Sequence, residues 1–126
     1  MPEFAPGWEL STDRGGEWLF VKVKCPDCSP AESPPFAQWI WRLLEEHRTY
    51  CVILEMDEVR VFYSYLIGQL ILLLKRTSTH GGAMRLCGVS PQNQQALRSC
   101  RLDVRFPPYR NREEAVQGRC DSPQPQ

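Results

Sequence analysis

Apolar and polar residues alternate near the N-terminus and then recur at helical spacing further along the chain. Residues 8–12 (WELST) and 17–24 (EWLFVKVK) predict two strands, joined through Asp13-Arg14-Gly15-Gly16 as a glycine-bearing hairpin. In the second run Leu19, Val21 and Val23 share one face, while Trp18, Phe20, Lys22 and Lys24 share the other. The Pro- and Ser-dense stretch CPDCSPAESPP reads as a loop. Pro34 and Pro35 suit a first helical turn with Ser33 as its cap, and Phe36, Ile40, Leu43, Leu44 and His47 form the amphipathic stripe that follows. Tyr50 to Met56 is a nearly unbroken apolar run, as a strand buried on both faces requires.

The pattern then predicts a helix over 64–79 stopped by Gly81-Gly82, and a strand over 83–89. Ser90-Pro91 is a cap followed by a first-turn proline, opening a helix to about Cys100. A short strand around Val104-Arg105-Phe106, a Pro107-Pro108 break, and a last helix from Asn111 complete the order. Asn111 can cap that helix, and Glu113 and Glu114 suit its positive end. The expected order is ββαβαβαβα. It implies an α/β domain with a mostly parallel central sheet, helices packed against it and one antiparallel strand from the hairpin. A single domain over 1–116 is expected, with 117–126 a disordered tail.

Composition narrows the functional classes. The 126 residues carry 15 basic and 15 acidic side chains, so no charge excess points to nucleic acid or an anionic membrane. The apolar run from Leu70 to Leu74 is too short to span a bilayer, and MPEFAPGWEL lacks the pattern of a secretory signal. A cytoplasmic location is the expectation. Cys51, Cys87 and Cys100 read as small buried hydrophobes in a strand or helix pattern. Cys25 and Cys28 form a lone CxxC, two of the four ligands zinc usually takes, with Cys87 a third only if it points outward. Pro26 and Asp27 lead into a Pro-rich loop rather than a helix, unlike a thioredoxin-type redox pair, and Cys120 lies in the tail. No metal or cofactor is expected. His47 and His80 have no nucleophile paired to them by motif, and no phosphate-binding glycine loop follows a strand. Glu55, Asp57 and Glu58 read as a solvated rim rather than an acid–base pair.

Two stretches carry a resemblance: VILEMDEVRVFYSYLIGQL (52–70) and HGGAMRLCGVSPQNQQALRSCRLDVRFPPYRNREEAV (80–116). In their order and spacing they resemble the STAS family, the fold of bacterial anti-sigma factor antagonists. The match runs over 17–116, with a longer loop at 25–33. In that family a buried strand leads to an Asp-Ser-Ser-Gly-Leu-Gly motif at the start of the second helix, whose second serine is phosphorylated. Laid onto this chain, Tyr63 takes the place of the aspartate, Ser64 the first serine, Tyr65 the second, Leu66 the first glycine and Gly68 the last.

The resemblance therefore implies a phospho-switch whose chemistry has been replaced. Ser64 reads as a helix cap, and Tyr63 and Tyr65 as either interface anchors or rings that cover the helix start. The function implied is a non-enzymatic regulatory module, not switched by serine phosphorylation, that binds a protein partner at Asp57, Tyr63, Ser64, Tyr65 and Gly68. The partner would be an anti-sigma factor kinase or a larger STAS scaffold, and a homodimer is compatible with it. The alternative is an accessory subunit binding a transport ATPase. A zinc or redox module at Cys25 and Cys28 ranks below both.

Overall fold

The strand Trp18–Cys25 is apolar on both faces at its start, and each face meets a different layer. The computed structural model describes residues 3–5, 7–25 and 34–118. In chain order its elements are β1 (Glu3–Ala5), β2 (Trp8–Gly15), β3 (Trp18–Cys25), α1 (Phe36–His47), β4 (Cys51–Val59), α2 (Ser64–Thr79), β5 (Ala83–Cys87), α3 (Pro91–Ser99) and α4 (Arg112–Gln117). The five strands lie side by side in sequence order, β1-β2-β3-β4-β5. The β1–β2 and β2–β3 pairs are antiparallel, and the β3–β4 and β4–β5 pairs are parallel.

Leu19, Val21 and Val23 join Val52, Leu54 and Met56 in the larger core, which α1 seals with Phe36, Ile40 and Leu44. From α2 come Leu66, Leu70 and Leu73, and from α3 comes Leu97. On the opposite face Trp18, Phe20, Ile53 and Cys87 form a smaller core with Tyr109 and with Ala115 of α4. This two-layer burial is why β4 reads as an unbroken apolar run, as expected of an interior parallel strand. No described helix is long and apolar enough to cross a membrane.

The α/β class stands, with three differences in detail. The hairpin pairs Gly15 with Trp18, so its loop is Gly16-Glu17 rather than Asp13 to Gly16. A second antiparallel strand, β1, precedes it. The strand expected around 104–106 is instead a turn, in which Arg105 and Phe106 both donate to the Leu102 carbonyl. A strand would aim Leu102, Val104 and Phe106 the same way. The turn buries Leu102 and Phe106 and leaves Val104 83% exposed. Chain pairing beside β5 shrinks to a single bridge, Cys87 with Tyr109, just after two prolines that have no N–H to donate. The last helix ends at Gln117, and the sequence beyond Gly118 lies outside the described residues, as do the proposed Ser33 cap and Cys28.

Gly82 shows how tightly the layers meet. A Cβ there would sit 1.9 Å from the Tyr50 carbonyl oxygen, so only glycine lets the chain pass from α2 into β5.

Candidate functional site

The parallel strands β3, β4 and β5 end at one pole, where the chain leaves β4 at Val59 and enters α2 at Ser64. Tyr63 is the N-cap residue, extended at φ −72° and ψ 161°, and its side chain makes no capping hydrogen bond. The cap expected of Ser64 is therefore absent. Helical geometry begins at Ser64 itself, so its hydroxyl stands one position too late to reach the free N–H groups of the first turn. Ser64 is exposed, and so is Tyr65 at 38%. Gly68 also faces outward, and a Cβ placed on it would meet nothing within 4 Å.

Tyr65 borders an open groove of about 510 Å³ between α1 and α2, together with Pro35, Trp41, Arg42, Leu72 and Arg76. Arg76 lies over the Trp41 ring at 4.4 Å, a cation–π contact that fixes one wall. The two helices are also tied at the pole. Gln69 accepts a hydrogen bond from the Ala37 N–H (2.9 Å), which supplies α1 with the acceptor its own cap residue, Pro35, cannot give.

Tyr63, Ser64, Tyr65 and Gly68 are brought together on one helix start, but Asp57 is not with them. It ion-pairs with Lys22 at 3.1 Å, and Lys22 belongs to the Trp18/Phe20 face of β3. Asp57 thus lies on the α4 side of the sheet, while α2 packs on the other. Its hydrogen bond to Lys22 holds that ammonium above the usual lysine range, aided by Glu58 at 3.5 Å. Gly88, at φ +69°, packs against Asp57, with room for a Cβ only 3.0 Å from the Asp57 Cβ. Farther along this face Arg112 joins Glu55 (2.6 Å) to Asp13 (2.8 Å), so the acidic rim expected from sequence is an ion-pair network docking α4.

The cysteines divide by environment. Cys87 is buried in the smaller core, and burial, followed by the nearby Glu55 and Asp57 carboxylates, pushes its thiol up to about 12. It points into that core, on the opposite face of the sheet from Cys25. Cys25 is disulfide-bonded, whereas Cys51 and Cys87 are free thiols. Cys100, expected inside, is also free and is exposed just past α3, because the helix turns its stripe at Leu97 toward the core.

One residue passed over in the sequence is central to this pole. Asn93 is 1% exposed and bonds to three backbone groups of residues 59–62. Its only signal was a short polar amide three places after Ser90, where a capping box would carry Glu or Gln.

The STAS domain model matches residues 30–115, which span α1, β4, α2, β5, α3 and the start of α4. The chain belongs to the STAS domain family. Among solved structures, an anti-sigma factor antagonist from Mycobacterium paratuberculosis superposes with a TM-score of 0.73 at 14% identity, covering 93% of this chain and 97% of that one. A variant of RsbS from Moorella thermoacetica gives 0.69 at 13% identity, covering 86% and 92%. A chain of the stressosome, described as a signal integration and transduction hub, gives 0.65 at 15% identity, covering 86% and 94%. At these identities the likeness establishes the fold. No curated protein sequence matches the chain significantly. Within this STAS domain, Tyr63 ends the segment between β4 and α2, and Ser64 and Tyr65 open the first turn of α2.

Proposed function

We propose that this STAS domain is a non-enzymatic regulatory module that docks a protein partner through the start of α2, without control by serine phosphorylation. The observation that carries this reading is Tyr65. The resemblance lays it on the phosphoacceptor position of the family motif; it exposes 38% of its surface and borders the α1–α2 groove. Its oxygen lies at the far end of a rigid ring, out of reach of a kinase shaped for serine. A ring also offers contact area with few rotamers to lose on binding. The anti-sigma factor antagonist and stressosome likenesses favour an anti-sigma factor or a STAS scaffold as the partner class.

The test is capture of a partner from the source cell, followed by titration with wild type, Tyr65→Ala and Arg14→Ala, each first shown to be folded. Arg14 sits at the opposite pole, bonded to the His47 carbonyl. Loss of a true anchor weakens binding by about 2 kcal/mol or more, roughly thirtyfold. Equal affinity for all three proteins overturns the reading. Incubation with a serine kinase of the family should leave the intact mass unchanged, and a phosphate gained on Ser64 would refute the unswitched assignment.

A further inference from the structure

The carbonyls of Val59 and Arg60 and the N–H of Phe62 come at or just past the last ladder pair of β4, Cys25 with Val59. Backbone groups left there without partners are costly once buried. A single side chain from another element meets all three. Asn93 donates its Nδ2 to the Val59 carbonyl at 3.1 Å and to the Arg60 carbonyl at 3.3 Å. Its Oδ1 accepts from the Phe62 N–H at 2.8 Å. Two carbonyls and one N–H leave only one orientation of the amide that satisfies all of them.

Asn93 is held in turn. Its own N–H donates to Ser90 Oγ at 3.2 Å, the bond that caps α3. The capped start of α3 is therefore joined, through one buried amide, to the turn that launches α2. That turn enters a helix with no side-chain cap of its own.

We propose that Asn93 is a positioning residue of this pole. It sets the course of residues 59–62, and through them the direction in which Tyr63 and Tyr65 are presented. The consequence for docking rests on the proposed function above, whereas the hold on the backbone does not. The hold restrains the presentation, because three backbone groups of the turn are bonded to one side chain of α3.

Amide hydrogen exchange by NMR reads this without any partner. The Asn93→Leu variant keeps much of the volume and removes all three bonds. Protection at Phe62 should fall about tenfold relative to Leu54 in the centre of β4, since local opening costs less once the bond is lost. The Tyr63 and Tyr65 amide resonances should shift while those of α4 stay in place.

Should Asn93→Leu not fold, Asn93→Asp supplies a sharper readout. As a carboxylate it still accepts from Phe62 but turns a bare oxygen toward two carbonyls. Once protonated it regains one donor. Protection at Phe62, normalised to intrinsic exchange, should therefore rise as pH falls through the titration of the introduced carboxyl, and wild type should show no such trend. A side chain that merely fills space has no reason to respond to pH. Equal loss of protection at Phe62 and Leu54, with unmoved tyrosine resonances or no pH trend, overturns the assignment. Local loss at Phe62 together with a failed partner capture leaves the positioning role standing and removes the docking role.

Discussion

Helices α2 and α3 begin at the same pole by different means. The start of α3 is written locally: Ser90 is extended, its Oγ accepts from the Asn93 N–H, and Pro91 fills the first helical position, where no N–H is needed. The start of α2 has no such cap. Its approach turn is held by Asn93 from the neighbouring helix, and its body by Leu66, Leu70 and Leu73 in the main core. The contrast shows that a helix supported from elsewhere can leave its first-turn side chains free at the surface. Ser64 and Tyr65 are free in this way, and the residues doing the equivalent work at α3 are not.

The largest effect should come from the packing that substitutes for a cap. Leu70 is fully buried against the sheet, and Leu70→Ala should cost about 2–5 kcal/mol through lost transfer energy and the cavity left behind. Leu72, two residues on, is 47% exposed, and its replacement by alanine should stay within about 0.5 kcal/mol. Urea denaturation of both variants separates them. Similar costs would mean that α2 is not anchored by the stripe described.

The two helix starts can be set against each other directly. Ser90→Ala removes a bond that is present and should cost about 1 kcal/mol. Ser64→Ala removes none and should fall within about 0.5 kcal/mol of wild type. The measurement is the shift of the denaturation midpoint at unchanged slope. If Ser64→Ala proved as costly as Ser90→Ala, the α2 start would be capped after all and the contrast would fail.

The same contrast explains what could be read from the sequence. Every helix and the four main strands follow from local signals: the alternation in Leu19, Val21 and Val23, the apolar run of β4, Ser90-Pro91 and Asn111. Asn111 does cap α4, accepting from the Glu114 N–H at 3.0 Å. The misses are places where a distant group decides the outcome. Ser64 looks like a cap because its residue type fits, but the turn fixed by Asn93 starts the helix one residue early, with Tyr63 in the cap position. The strand expected around Val104 gives way to a turn, which buries Leu102 and Phe106 while leaving Val104 at the surface. The resemblance groups Asp57 with the α2 start, and β4 places its side chain beside Lys22 on the opposite face of the sheet. Adjacency along a strand says little about which side of a sheet a residue serves.

The smallest expected effect probes the field at the uncapped start. The first turn of α2 holds no acidic residue and its N-cap side chain accepts nothing, so the positive end of the helix dipole faces solvent unopposed. Ser64→Asp should stabilise the domain by about 0.3–1 kcal/mol at low ionic strength. Raising the salt to about 1 M should remove most of that gain, because the screening length then falls to roughly 3 Å. Gln92→Asp in the first turn of α3 is the matched control. There one N–H is already taken by Ser90, so the gain should be smaller. The reverse order would show that something else already neutralises the α2 start. The expected order carries a point about regulation as well. If the fold welcomes negative charge at Ser64, the cost of placing a phosphate there would not by itself keep a kinase from using the site. The proposed lack of a serine switch would then rest on the kinase, which meets a tyrosine ring on either side of the Ser64 hydroxyl.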